Sequence, residues 1–273
     1  MNAKSLVKPS DLSKHKSGKA LSDGWAVNFA VGCTHGCVFC YARRIAELLN
    51  PYKLPKEAFT PGWGRYLYVS ENLAELVKST PWRRWAGKRL LMSSTHDPYL
   101  PQLYFPHRWP RLILEAALPH GVRFTVLTRS TLVLQDLDVL ARHREQVLLL
   151  MSIPTLDEEL TKVTEPFAPP PRARLAALRK AKDAGVGVGV VVAPIITAPG
   201  WESRLRQLFE ELAKLGPSVV YGELLHPRGS NTTELRRLGL TFRIGAQADL
   251  QVGRFFEQLL KEYELRGEYW YGQ

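Results

Sequence analysis

One joint recurs along this chain and limits what it can fold into: an amphipathic helix, a glycine or polar turn, then a short apolar strand. It is read in "LILEAALPHGVRFTVLT", in "LAALRKAKDAGVGVGVVVAPII" and in "LRQLFEELAKLGPSVVYGELL". Weaker copies are "WRRWAGKRLLMSST" and "LDVLARHREQVLLLMSI". In the helical halves Leu205, Leu208, Phe209, Leu212 and Leu215 share one face, and Phe255, Phe256, Leu259, Leu260 and Tyr263 share another. The strands "FTVLT", "VLLLMSI" and "VGVVVAPII" are continuous apolar runs, as expected where both faces of a strand are covered. Gly185 and Gly216 stand where a helix would end in a left-handed cap. "TLDE" (155–158) has the spacing of a capping box.

Strands alternating with helices imply a parallel sheet with right-handed crossovers. Counting "WAVNFAV" first, the strands fall at roughly 25–31, 89–94, 123–128, 147–153, 187–193 and 218–224. Six such units make either an open doubly wound sheet or a partial barrel. No glycine-rich phosphate loop follows the first strand, which weakens a dinucleotide-binding reading. The stretch "NPYKLPKEAFTPGWGRY" reads as an insertion after the first βα loop rather than a domain boundary.

Two hundred and seventy-three residues suffice for one large domain or two small ones. No apolar run is long enough for a membrane-spanning helix. The beginning, "MNAKSLVKPSDLSKHKSGKALSDG", is polar and basic and lacks the apolar core of a secretory signal, so a cytoplasmic location is expected. Lysine and arginine number 37 against 26 acidic residues, a net charge of +11. Such a surface attracts polyanions, although solvated arginine-rich helix faces would give the same count. "TPWRRWAGKR" sharpens the question. Trp82 and Trp85 flank Arg83 and Arg84, and rings beside guanidiniums can stack on bases and hold phosphates, or the tryptophans can pack within their own domain.

Working residues of a barrel gather at the carboxyl ends of its strands. Here those ends are "GCTHGCVFC", "SSTHDPY", "TRS", "SIPT", "APIIT" and "GELLHP". The first holds all three cysteines of the chain, Cys33, Cys37 and Cys40, spaced C-x3-C-x2-C. Structural zinc wants four ligands, and an iron–sulfur cube usually has four thiolates. With no fourth cysteine, either another residue completes the set, His35 being nearest, or one site stays open to a substrate or cofactor.

C-x3-C-x2-C with an aromatic residue, Phe39, before the last cysteine resembles the signature of the radical S-adenosylmethionine (radical SAM) superfamily. The segments "GCTHGCVFCYAR", "STHDPYLP", "LTRSTLVLQDLDVL", "SIPTLDEEL", "TEPFAPPPRARLAAL" and "AGVGVGVVVAPII" occur in order and look like its spore photoproduct lyase-like branch, also described as DNA repair photolyase-like. The likeness covers roughly residues 25–200. It implies an α/β fold, a partial (β/α)6 TIM-type barrel of parallel strands with outer helices. Residues 1–22 would be a flexible basic leader. Residues 23–228 would be the barrel, with the insertion at about 50–87, and residues 229–273 a C-terminal helical extension packed on it.

The same resemblance implies a [4Fe–4S] cluster on Cys33, Cys37 and Cys40, with S-adenosylmethionine at the open iron. One electron would release a 5′-deoxyadenosyl radical that abstracts a hydrogen atom from substrate. An electron donor such as flavodoxin or ferredoxin, and a DNA or RNA substrate, would be the partners. Phe39 would flank the adenine. Ser93, Ser94 and Thr95 would meet the methionine amino group, with Asp97 in the same loop, where it reads equally as a turn cap before Pro98. Ser152 would meet the ribose and Arg174 the cofactor carboxylate, with Glu165 and Arg172 as weaker candidates. The backbone of Ala193–Ile195 and of Glu223–Leu225 would reach the adenine. His96 and Tyr99 could face substrate, and His35 could tune the cluster through a hydrogen bond.

The family's lyase returns a hydrogen atom from a further cysteine, and this chain has none to spare. Tyr99, Tyr104 and Tyr221 are the available substitutes. Two other readings stand beside a lyase-like enzyme on nucleic acid: the same chemistry on a small metabolite, peptide or protein, and a zinc-bound nucleic-acid-binding module without catalysis.

Overall fold

The computed structural model describes residues 1–10, 16–50 and 52–272. Its strands, in chain order, are β1 (Val7–Pro9), β2 (Trp25–Val27), β3 (Ala30–Val31), β4 (Tyr68–Val69), β5 (Arg89–Met92), β6 (Arg123–Thr128), β7 (Val147–Ser152), β8 (Gly187–Ile195), β9 (Val219–Leu224) and β10 (Gly267–Tyr269). Eight of them form one sheet in the order β1-β2-β5-β6-β7-β8-β9-β10. Five of the six expected strands are present and run parallel; the first, expected over 25–31, splits into β2, which joins the parallel sheet, and β3, which pairs antiparallel with β4 in a separate two-stranded sheet. Ala26 stands beside Leu91, Met92 beside Val126, Leu127 beside Leu150, Met151 beside Val190, and Val191 beside Tyr221. The ladder's two edges, β1 and β10, do not pair with each other, so the barrel is partial.

Alternation along each strand separates two apolar layers. Leu90, Met92, Phe124, Val126, Leu149, Met151, Val188, Val190 and Val220 turn outward into one core shared with the covering helices. Ala26, Leu91, Leu150 and Val191 turn inward and meet Trp270. The inner layer is tight: a Cβ added to Gly189 would fall 2.6 Å from Leu150 and 2.8 Å from Val219. This accounts for Gly189 in the valine run of β8.

The helix Trp201–Leu215 buries the expected face, Leu205, Leu208, Phe209, Leu212 and Leu215, and ends at a left-handed Gly216 (φ 59°). Gly185 follows the helix Pro171–Asp183 with φ 81°. The helix Glu158–Thr164 is capped differently from the capping-box expectation. Asp157, not Thr155, accepts from the backbone N–H of Leu160 (3.0 Å). The Thr155 hydroxyl instead accepts from the Asp157 N–H (3.1 Å), one turn earlier. Aspartate is the stronger cap, and it takes the position.

Three strands lay outside the sequence expectation: β1, β10 and, in the insertion, β4. β1 pairs antiparallel with β2, Val7 opposite Val27, within the segment read as a flexible leader. Leu6 and Val7 are buried there, and the Ala3 N–H donates to Ser70 Oγ and Asn72 Oδ1. Residues 11–15 of that leader lie outside the described residues. β10 pairs parallel with β9 and follows the helix Ala246–Glu262, which rests on the helix Trp201–Leu215 through an edge-on Phe209–Phe256 contact of 5.1 Å.

The insertion supplies β4, which pairs with β3, and the helix Leu73–Ser79. "WRRW" is one tight 3-10 turn, Trp82–Trp85, not an amphipathic helix. Trp82 is buried and donates from Nε1 to the Val77 carbonyl (3.0 Å). Trp85 meets Trp25 edge-on at 6.2 Å and Trp82 at 6.5 Å. Trp25 opens β2, so these tryptophans pack into the outer core near the amino end of the sheet, away from the cysteines, while Arg83 and Arg84 are exposed.

Candidate active site

The segment 32–40 leaves β3 at the carboxyl mouth of the barrel. Its entry requires glycine: Gly32 has φ 96°, and a Cβ there would lie 2.3 Å from the Tyr66 carbonyl oxygen. Gly36 (φ 63°) faces Gly64 (φ 92°) so closely that a Cβ on Gly64 would sit 2.9 Å from the Gly36 Cα. Four hydrogen bonds from three separate segments then fix the loop. The Val38 N–H donates to the Thr164 carbonyl (2.9 Å) and the Phe167 N–H to that of His35 (3.3 Å). Trp63 Nε1 donates to the Cys37 carbonyl (3.2 Å), and Asn231 Nδ2 to that of Phe39 (3.1 Å).

All three thiols are free; Cys33 and Cys37 are buried and Cys40 half-buried. Burial pushes the Cys33 thiol up to about 12, with Asp97 and Cys40 adding to the rise. Burial also drives Cys37 well above its ordinary value, against the opposing charge of Arg129, and raises Cys40. Neutral thiols are therefore favoured until a cationic centre converts them to thiolates. Among the described residues, no three His, Cys, Asp or Glu groups are placed to hold a single metal ion. His35 is no fourth ligand in waiting. Its Nδ1 lies 3.4 Å from the Phe167 carbonyl and its Nε2 3.2 Å from Asp97 Oδ2, the latter off the hydrogen-bond line. Three soft donors, mutually coupled and lying beside an arginine, fit a multi-iron centre with one corner left open.

Around the thiols sits a set of buried and half-buried ions. Arg129, at the end of β6, lies over the Phe39 ring (5.4 Å) and donates from Nη2 to the Ala193 carbonyl (3.3 Å). Its Nε is 3.5 Å from Glu165 Oε1. Burial opposes its charge, but Cys37, Glu165 and Cys40 outweigh burial and raise its pKa. Arg174 is fully buried and pairs with Glu165 Oε2. It also donates from Nε to the Pro169 carbonyl (2.7 Å) and from Nη1 to that of Ser152 (3.0 Å). Ser152 Oγ donates to the Ala193 carbonyl (3.2 Å). Arg172 is exposed and lies outside this set.

Asp97 is a junction. Its Oδ1 accepts from Thr128 Oγ1 (2.7 Å) and the Tyr99 N–H (2.9 Å); its Oδ2 accepts from the Arg129 N–H (2.7 Å) and faces His35. Burial alone would raise this carboxyl, but His35, Thr128 and Arg129 hold it below the usual carboxylate range. Ser93 adopts a left-handed backbone (φ 62°), and its hydroxyl sits 2.8 Å from His96 Nδ1. Asn28 Oδ1 accepts from the Ser94 N–H (2.9 Å), and Tyr41 OH donates to the Ser94 carbonyl (2.6 Å). Thr95 is buried in the same turn. His96 is buried edge-on against Phe29 (4.6 Å), and burial lowers its pKa to about 3, so it is neutral.

Phe39 and Cys37 pack with Ile196 and Leu225, which brings the ends of β8 and β9 beside the cysteine segment. Glu223 shares the inward face of β9 with Tyr221, and burial pushes its carboxyl up to about 7. The three tyrosines separate. Tyr99 and Tyr104 sit in the outer core and donate to the buried carboxylate of Asp136 (3.1 and 2.8 Å), whereas Tyr221 stacks on Trp270 inside the barrel at 4.6 Å. Arg129, Asn28 and Asp136 escaped the sequence reading. Arg129 carried a signal, as the one charge directly after the apolar strand "FTVLT"; Asn28 and Asp136 acquire their roles only through the fold.

The family model described as Radical SAM superfamily matches residues 27–212. Uncharacterized protein ORF301 of Acidianus two-tailed virus is 46% identical over 97% of this chain and 90% of its own length. Spore photoproduct lyase of Bacillus subtilis is 28% identical over 72% of this chain, which spans 53% of that enzyme. Among solved structures, a spore photoproduct lyase mutant with bound AdoMet and dinucleoside spore photoproduct superposes with a TM-score of 0.68 at 20% identity, covering 97% of this chain and 81% of its own. Streptococcus suis SuiB bound to S-adenosylmethionine superposes with a TM-score of 0.60 at 12% identity, covering 94% and 52%.

Proposed function

The chain belongs to the radical SAM superfamily, whose cofactors are a [4Fe–4S] cluster and S-adenosylmethionine, and from that premise we propose an enzyme acting on nucleic acid, for repair or modification. The observation that carries the chemistry is the meeting of three free thiols with the half-buried Arg129 at the barrel mouth. The net charge of +11 and the fold shared with a lyase holding a dinucleoside photoproduct support the substrate class.

Cys33, Cys37 and Cys40 would be the thiolate ligands. When bound, the cluster and S-adenosylmethionine supply a 5′-deoxyadenosyl radical by one-electron cleavage. Phe39, with the ends of β8 and β9, would form the adenine wall. The turn of Ser93, Ser94 and Thr95 would receive the amino group, and Ser152 would meet the ribose. Arg129 offsets negative charge at the thiolates. Asp97 and Arg174, whose polar atoms are engaged within the protein, would act by position: Asp97 fixes His35 and the cysteine loop, and Arg174 fixes Glu165 and the end of β7. The aliphatic walls exclude water from the site. Flavodoxin or ferredoxin would deliver the electron.

The test is anaerobic reconstitution with iron and sulfide, reduction, addition of S-adenosylmethionine, and measurement of 5′-deoxyadenosine with and without oligonucleotide. Wild type should form it, and Cys37→Ala should not. A colourless protein that makes none would sink the reading. Formation that ignores DNA and RNA would remove the substrate class alone.

A further inference from the structure

Beside the cysteine segment lies an open groove of about 860 Å3 that the cofactor chemistry does not use. The helix Asn231–Arg237, the stretch 240–244 and the helix Ala246–Glu262 form it. Arg236, Arg243 and Arg254 line it, all exposed. Gln247, Gln251 and Arg254 project along one face of the long helix at helical spacing. Phe242 sits among them with the Arg236 guanidinium 5.3 Å from its ring centre. Among the described residues, no acidic side chain lines the groove. The nearby carboxylates are engaged elsewhere: Glu234 with Arg43 and Arg237, Glu257 with Tyr271, and Asp249 with Tyr269. The three guanidiniums therefore keep their charge for an outside partner.

The groove is tied to the site. Phe242 and Ile244 pack against the cluster that holds Cys37 and Phe39. The backbone of Arg243 is pinned on both sides to Thr197 Oγ1, just past β8 (2.7 and 2.8 Å). Asn231, at the start of the shorter helix, bonds the Phe39 carbonyl.

We propose that this groove is the track for a single nucleic-acid strand, with Arg236, Arg243 and Arg254 on phosphates and Phe242 offering a stacking face. The inference rests on the nucleic-acid reading above and adds where the strand lies. Arginines spaced along a shallow groove suit a line of phosphates, an aromatic ring among them suits an unpaired base, and glutamines suit base or sugar edges. An acidic peptide would use the charge and leave the ring and the amides without purpose.

The test is fluorescence anisotropy of a labelled single-stranded oligonucleotide with the full-length reconstituted protein across a salt series. The variants are Arg236→Gln/Arg243→Gln/Arg254→Gln in the groove, the same positions changed to Lys, and Arg83→Gln/Arg84→Gln at the far end. Removing three phosphate contacts should weaken binding about 10-fold or more and lower the salt slope by about 2. The Lys triple should retain most of the affinity, and the far-end variant all of it. Wild-type binding that survives the Gln triple would overturn the groove and leave the nucleic-acid reading standing. No wild-type binding at low salt would overturn both, and preference for a poly-glutamate peptide over the oligonucleotide would overturn the choice of partner.

Discussion

At the amino end of the barrel Trp25, Trp82 and Trp85 lock edge to face, while at the carboxyl mouth the buried Asp97, Glu165 and Arg174 crowd together with the half-buried Arg129. The first arrangement stabilises through apolar area and ring geometry and has no desolvation to offset. The second takes charges out of water, at several kcal/mol each before pairing, and recovers that only through close partners. An apolar mouth would be as easy to fold. What the ions add is placement: Asp97 and Arg129 join His35 and Phe39 to the end of β6, and Arg174 ties Glu165, the partner of Arg129, to the end of β7. One end of the barrel is therefore built for stability, and the other spends stability on geometry.

Variants at the two ends should separate these roles. The largest effect is expected from Cys37→Ala, which should abolish the cluster absorbance and 5′-deoxyadenosine formation while leaving the far-UV circular dichroism unchanged. Arg174→Ala leaves Glu165 buried and unpaired except for Arg129. It should cost about 3–5 kcal/mol in urea unfolding and also disturb cluster assembly, because Ser152 and Glu165 lose their anchor. Trp82→Ala should cost a similar 3–5 kcal/mol yet leave deoxyadenosine formation per folded molecule unchanged; a parallel loss of activity would break the division between the two ends.

A smaller effect concerns Glu223. Its carboxyl, ordinarily near 4.5, titrates near about 7 in the fold because burial disfavours its charge. Between those values the folded state holds a proton that the unfolded state has released, so stability falls as pH rises through this window. Comparing urea midpoints near the two ends of the window should show that slope in wild type and a flatter profile in Glu223→Gln. Smallest of all, Arg83→Gln/Arg84→Gln should shift stability by no more than about 0.5 kcal/mol.

The parallel strands were legible because each carries a run of apolar residues at the end of a glycine or polar turn, a local pattern. β1 and β10 were not, since three residues apiece have no period to read and gain their partners only from the sheet edges they cover. The cysteines announced themselves by spacing. Asp97 stood out as well, but its chemistry did not: a carboxylate in "THDPY" says nothing of Thr128, Arg129 or His35, which reach it from other segments. Arg174 had the same ambiguity, since a buried and a solvated helix arginine look alike until the neighbouring Glu165 is placed.

The approach of Gly36 to Gly64 has a consequence for engineering. The residues that carry the thiols take part of their shape from a surface contributed by the insertion, where a Cβ on Gly64 would strike the Gly36 backbone and one on Gly36 would press on Phe167 and Gly64. Transplanting residues 32–44 into another barrel would move the sulfur atoms without the mould that shapes them. The smallest transferable part is two pieces of chain far apart in sequence, and a loop exchange that respects only the cysteine spacing should yield a protein that folds and binds iron poorly.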